Sequence, residues 1–401
     1  MNRSYYKPCA TAYELCASCS AIGSHYDSHM TPSLRARRAF PFVDRGTFGS
    51  RVKAYVELTK PRIIELLLIT TIPAMVVAAR GWPGWRLVAL VLIGGSLSAG
   101  GANVINQVYD RDIDRIMNRT AGRPIPTGRV SPKAATRFGL TLGLAGFVVL
   151  TVGSTLLAGV LSLVAFGFYV VVYTMLLKRS TTQNIVIGGA AGAVPALIGW
   201  AAVTGGLATA PWVMFAIILY WTPPHFWALS IKYEEDYRRA EIPMLSVVSG
   251  IEMTFREIVW YSVMTVGVSL MLIPVAQLGW IYTAIAVVLG IWMVIAALRL
   301  RSDRTRAMRF FGFTNLYLAG VFMVMMVDRL IDTPALSGAQ FWMVTATTLV
   351  AVGGLCVIVS EMSSHARGLG VSRLRQIAEV GVTQLFAFGL TWAAWLFLAV
   401  A

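Results

Sequence analysis

Eleven stretches of about 17–25 apolar residues, with basic residues collected between them, constrain this chain more than any other feature. They run over residues 63–79, 88–108, 138–157, 158–177, 184–203, 211–230, 257–276, 279–298, 310–327, 340–359 and 377–400. Each is long enough to cross a hydrocarbon core of about 30 Å as a helix. Lipid offers no hydrogen bonds, so every backbone group must be satisfied within its own segment. The expected fold is therefore all-α, a polytopic membrane helix bundle in the lipid bilayer. The shared boundary near residue 157 predicts a tight hairpin.

The charges orient the bundle. With the N-terminus inside and the loops alternating, 31 Lys and Arg fall on the inner side and only Arg80, Arg86 and Arg329 outside. That split predicts a multi-pass protein of the cell membrane, with a cytoplasmic N-terminus and an external C-terminus. The net charge of +15 alone would also suit a nucleic-acid binder. Here the basic residues punctuate apolar runs, so no nucleic acid is expected as a partner. Only 13% of residues are charged, about half the share usual in water-soluble proteins.

Residues 1–50 read as a polar cytoplasmic extension, without the apolar core of a signal peptide. Cys16 and Cys19 within it form a CxxC, and His25 and His29 lie four apart. No second pair stands at zinc spacing, so an inert tail is expected.

Chemistry concentrates in two inner loops. The first begins where the second span ends, at Asn106, Asp110 and Asp114, which recur every four residues and share one face of a helix. Asp112 points about 200° away. Three oxygen-bearing side chains on one stripe suit Mg2+, which takes one or two carboxylates and leaves other positions to water and phosphate. Arg115, Arg119, Arg123 and Arg129 follow directly. Guanidinium groups beside a carboxylate–magnesium site make a diphosphate clamp.

The second loop follows the sixth span and contains Lys232 and Asp236, four apart. Lys232 suits a phosphate and Asp236 a second magnesium. Just before it, His225 is the one histidine inside an expected span, flanked by Trp221, Phe226 and Trp227. Pro223 and Pro224 predict a kink there. An intramembrane histidine is a candidate functional residue, and aromatic walls suit a flat porphyrin. A core histidine bonded to a neighbouring span is the other reading of the same residue.

These stretches resemble the UbiA-type intramembrane prenyltransferases, and within them the haem O synthase branch. The matching residues are Leu58-Thr-Lys60-Pro61-Arg62, the Asn106/Asp110/Asp114 motif, Met117-Asn118-Arg119-Thr120 with Arg123-Pro124, and Tyr173-Thr174 with Lys178-Arg179. They continue with Asn184 to Gly189, Gly199-Trp200, Pro224-His225-Phe226-Trp227, Lys232 with Asp236-Tyr237, and Ile242-Pro243-Met244-Leu245. The match spans residues 53–331 and implies a nine-helix core over 51–331, with two extra spans in 332–401 outside it. Where the wider superfamily carries an aspartate, Lys232 stands here, as the haem-directed branch implies.

The resemblance implies transfer of the farnesyl group of farnesyl diphosphate to haem B, giving haem O for terminal oxidases. It implies metal ligands at Asn106, Asp110, Asp114 and Asp236, and catalytic roles for these four with Lys232. Diphosphate contacts are implied at Lys60, Arg62, Arg115, Arg119, Arg123, Lys178, Arg179 and Lys232, and haem contacts at His225 and Trp227. Haem A synthase or terminal oxidase assembly factors would be downstream partners. The alternatives are the same fold acting on another aromatic acceptor, such as hydroxybenzoate or a chlorophyllide, and a transporter. A transporter predicts charges near the membrane midplane. This chain keeps them at the inner helix ends, with Glu65 and Glu257 also placed there, which favours an enzyme working at the cytoplasmic face.

Overall fold

The computed structural model describes residues 47–335. The Cys16/Cys19 motif, His25 and His29, and the last two expected spans lie outside the described residues.

Within them the chain is a succession of helices: α1 (Phe48–Thr59), α2 (Pro61–Ala79), α3 (Trp85–Tyr109), α4 (Arg111–Ile116), α5 (Pro132–Gly153) and α6 (Leu156–Gly167). A π-helical stretch, Phe168–Leu177, prolongs α6. Then come α7 (Asn184–Thr204), α8 (Thr209–Lys232), α9 (Glu234–Arg239), α10 (Leu245–Val248), α11 (Gly250–Val275), α12 (Trp280–Ser302) and α13 (Ala307–Ile331). Each of the first nine expected spans has a helix at its place. Seven are long and apolar enough to cross a membrane by composition alone. The chain is a multi-pass membrane protein. Of the other two, α2 is 19 residues long and apolar from Ile69 to Ala79, and α8 carries Tyr220, Trp221, two prolines and His225, which lower its apolar content.

Local chemistry places the ends. Ser131 accepts a hydrogen bond from the Ala134 amide at 3.3 Å, ahead of Pro132, and starts α5 six residues before the apolar run. Thr155 caps α6 through the Ala158 amide at 3.2 Å. The hairpin therefore turns at Ser154–Thr155, not at residue 157 as the hydropathy suggested. Apolar content does not register a cap, whereas a hydroxyl satisfying orphan amides does. At Pro223-Pro224 α8 runs on as one helical element, and Thr222 donates to the Ile218 carbonyl at 2.7 Å. Packing against α11, α7 and α13 holds it.

In lipid, apolar side chains gain little by leaving their surroundings, so helices associate through close contact and small residues. The most extensive pairing, α3 with α5, is built that way. Gly94 and Gly101 of α3 face Gly139, Gly143 and Gly146 of α5 with backbone against backbone. The outer faces carry Leu140, Leu144, Val148 and Val152 on α5, and Val288, Ile291, Trp292 and Ile295 on α12, all exposed as a lipid-facing surface requires. The main core lies among α2, α7, α8, α11, α12 and α13. At the opposite end from the acidic motifs, buried Asp328 accepts from the Gly279 and Tyr282 amides at 2.7 and 3.0 Å. A side chain of α13 thus caps the start of α12.

Candidate active site

The site is assembled at one end of α2, α3 and the π-helical stretch. It begins with a row on α3: Asn103, Asn106, Gln107 and Asp110, all buried. Asn103 donates to the Thr59 carbonyl at 3.2 Å and Gln107 to that of Leu58 at 2.6 Å. These two bonds fix the α1–α2 junction, where Lys60 adopts a left-handed conformation (φ 54°) before Pro61. Such a backbone costs about 1–2 kcal/mol in a non-glycine residue and persists where neighbours impose it. The consequence is that Lys60 Nζ reaches Asn106 Oδ1 at 3.0 Å. Burial, then the nearby cations Arg123 and Lys178, lower the Lys60 ammonium to about 7.

Asp110 is fully buried at the hinge between α3 and α4. Its Oδ2 accepts from Asn106 Nδ2 at 2.9 Å and from Lys178 Nζ. Its Oδ1 has no hydrogen-bond partner, the Arg179 guanidinium standing off at 3.7 Å. Asp114 is buried too, but both its oxygens are gripped by Arg123 at 2.8 Å. Asp112 does face away: it is 61% exposed and takes both guanidinium nitrogens of Arg179 at 2.7 and 2.8 Å. Those bonds hold its carboxyl down at about 2.

The second loop joins through an apolar cluster. Ile113 and Met117 pack with Ile185, Tyr237, Ile242 and Met244, and the Arg119 guanidinium lies 5.6 Å from the Tyr233 ring. The fold brings both loops to one place. It does not hold Lys232 and Asp236 on one face: the helix breaks at Tyr233, leaving Lys232 exposed and Asp236 buried. Asp236 pairs with Arg239. Arg62 and Arg115 are exposed near the same end.

Among the described residues, no three His, Cys, Asp or Glu side chains converge as a metal cage. A magnesium site needs no such cage. Asn106 Oδ1 and the unpartnered, buried Asp110 Oδ1 are oxygen donors of the right kind, and Asp110 is the acid whose capacity is unfilled. The expected ligands thus divide: Asn106 and Asp110 are brought together, while Asp114 and Asp236 are each turned into an arginine pair. A guanidinium fork matches a carboxylate, so an adjacent arginine competes well for it.

His225 and Trp227 lie two residues apart on α8 and point to different neighbours. The His225 ring is stacked between Trp221 and Phe311, with centroids at 4.3 and 4.1 Å, and its Nδ1 is 2.8 Å from Thr314 Oγ1. Trp227 packs edge-on against Tyr261 at 5.3 Å. The two do not form one open porphyrin wall, and an iron bond from His225 would have to come from Nε2. His225→Ala should lower the thermal midpoint, since large-to-small changes in a core cost about 2–5 kcal/mol. His225→Phe should largely restore it and leave the absorption spectrum of added haem unchanged. A shifted haem band in the Phe variant, at normal stability, would assign Nε2 to the iron.

Sequence reasoning gave no role to Asn103, Gln107 or Thr174. Asn103 was within reach, because it extends the Asn106/Asp110 row by one turn, and Gln107 lies one turn after Asn103. Thr174 stands in one of the matching stretches, but its contacts with the row could not be read there, since its partners are far along the chain.

The pattern of the UbiA prenyltransferase family matches residues 67–318. The chain is 48% identical over 299 residues to a protoheme IX farnesyltransferase from Gloeobacter violaceus, covering 74% of this chain and 96% of that one. A protein of the same name from Clavibacter sepedonicus is 49% identical over 296 residues, covering 72% and 97%. Among solved structures, a digeranylgeranylglyceryl phosphate synthase superposes with TM-score 0.59 at 18% identity, over 70% of this chain and 99% of that one. A UbiA homologue from Aeropyrum pernix K1 gives 0.53 at 20%, over 67% and 98%. Another from Archaeoglobus fulgidus, bound to DMAPP and Mg2+, gives 0.50 at 17%, over 68% and 99%. With this fold, this row of polar groups and this identity, the chain belongs to the UbiA prenyltransferase family.

Proposed function

We propose that this chain is a protohaem IX farnesyltransferase, which joins the farnesyl group of farnesyl diphosphate to a vinyl group of haem B and yields haem O. The observation that carries this is its 48–49% identity over 96–97% of the length of protoheme IX farnesyltransferases. The site geometry supplies the chemistry.

In the reaction the farnesyl C1–O bond breaks and its electrons leave with the diphosphate. The vinyl terminus attacks C1, and water captures the cation left on the inner vinyl carbon, losing a proton. The difficulty is the charge that builds on the leaving group. Asn106 and Asp110 would hold Mg2+, which when bound neutralises much of that charge. Lys60 bonds Asn106, Lys178 bonds Asp110 and Arg123 grips Asp114 one turn on, which brings positive charge to this end before the reaction begins. Arg119, Arg62, Arg115 and Lys232 are exposed at the same end, placed to draw in a charged diphosphate. The apolar side chains around α3, the π-helical stretch and α7 keep water from an early capture of the allylic cation.

The test is direct. Membranes containing the chain should move radiolabel from farnesyl diphosphate into a haem product when haem B is added, and a chelator should stop it. Label appearing in hydroxybenzoate instead, or none in haem, would refute the reading.

The same reading puts the protein in the cell membrane with its N-terminus and active site cytoplasmic. The one-sided charge supports it. A reporter inserted in the 111–137 loop should be active only if it is a cytoplasmic reporter, and an external signal there would invert the orientation.

A further inference from the structure

Thr174 is fully buried at the centre of the π-helical stretch and touches the metal-binding row without being a metal ligand itself. We propose that Thr174 is a positioning residue: it fixes the amide of Asn106 so that the oxygen, not the nitrogen, is offered to the divalent cation. The inference rests on the metal reading above and adds to it how Asn106 is oriented.

The orientation follows from donors and acceptors. Thr174 Oγ1 lies 2.8 Å from the Tyr169 carbonyl, which only accepts, so the single hydroxyl hydrogen goes there. The same Oγ1 is 3.2 Å from the Asn106 amide and has only lone pairs left, so it must face Nδ2. Two other neighbours require the same orientation. The Asp110 carboxylate accepts from Nδ2 at 2.9 Å, and Lys60 Nζ donates to Oδ1 at 3.0 Å. Both amide hydrogens are then committed, and Oδ1 keeps a lone pair for a cation. A flipped amide would set two acceptors against its oxygen and aim two N–H bonds at the metal.

The π winding makes this possible. A threonine in an ordinary helix bonds the carbonyl four residues back, as Thr222 and Thr265 do here. Thr174 bonds the fifth, and the Lys178 amide likewise bonds Tyr173 at 2.9 Å. Each such bond encloses one extra residue and widens the turn. The wide turn sets Thr174 against Asn106 and, one turn later, Lys178 against Asp110. Gly188 opens the space on the other side, for a Cβ there would sit 2.2 Å from the Tyr173 ring.

The test uses the full chain in detergent, with Mn2+ alone as the probe, read by loss of the free-ion electron paramagnetic resonance signal. Thr174→Val keeps the shape and removes the acceptor. It should weaken Mn2+ binding about tenfold and raise the Mg2+ concentration needed for half-maximal turnover by a similar factor, with the KM for haem unchanged. Thr174→Ser keeps the hydroxyl and should bind Mn2+ within about twofold of the parent. Unchanged Mn2+ affinity in the Val variant would overturn the proposal. So would equal losses in both variants alongside a lower thermal midpoint, because that pattern belongs to packing. A parent protein that binds no Mn2+ would overturn the metal reading itself, and this inference with it.

Discussion

Asp110→Asn should lower farnesyl transfer by a factor on the order of 10²–10³ or more, the scale seen when one preorganised electrostatic group is removed. The side chain is fully buried, touches Asn106 and Lys178, and holds the one carboxylate oxygen in the row without a partner. Lys178 and the Asn106 Nδ2 both donate to Oδ2, so an amide there would keep its oxygen toward them and turn its NH2, a donor, into the open Oδ1 position offered to the metal. It would also remove the negative charge that offsets Lys60 and Lys178. Asp112→Asn should reduce the rate less than about fivefold, because an exposed ion pair contributes only about 0–1 kcal/mol. Asp114→Asn should fall between, through loosening of Arg123. The measurement is kcat/KM for each purified variant beside its thermal midpoint. Equal losses at Asp110 and Asp112 would sink the assignment of Asp110 to the metal.

Gly101→Ala should strongly reduce the yield of folded protein, while Gly95→Ala on the same helix should be tolerated. A Cβ on Gly101 would lie 2.5 Å from the Gly139 carbonyl oxygen and 2.8 Å from the Gly143 amide nitrogen. Both are backbone atoms of α5, so nothing flexible can move aside. The helices would have to separate along the pairing that sets Asn106 and Asp110 against the rest of the site. A Cβ on Gly95 meets nothing within 4 Å and should stabilise α3 by about 0.5–1 kcal/mol, as alanine does over glycine in a helix. Thermal midpoints and yields in detergent decide it. Similar behaviour of the two variants would refute backbone contact as the basis of the α3–α5 pairing.

Much of this was legible before any coordinates. The helices are where the apolar runs lie, because in lipid a helix is the one local way to satisfy each backbone group. The burial of Asn106, Asp110 and Asp114 and the exposure of Asp112 follow from the turn of 3.6 residues. The early start of α5 could also have been read, from Ser131-Pro132. The hairpin at Ser154–Thr155 was harder, since Thr155 caps α6 while its own hydroxyl donates to Ala201 on α7.

What the sequence determined by itself is therefore the order of helices, their apolar and polar faces, and the end of the bundle where charge collects. All three depend on interactions within a few residues of one another. The partners inside the site were decided by tertiary structure. Lys60 meets Asn106 across 46 residues, and Thr174 and Lys178 meet Asn106 and Asp110 across 68. A carboxylate in an arginine-rich loop has several matching cations, and spacing cannot choose among them. The turns of the loop itself brought Arg123 to Asp114, while helix packing set Lys178 against Asp110, left its other oxygen open, and buried His225 against Phe311. The choices made by packing turn on contacts of a few ångströms between distant segments, which no local period records.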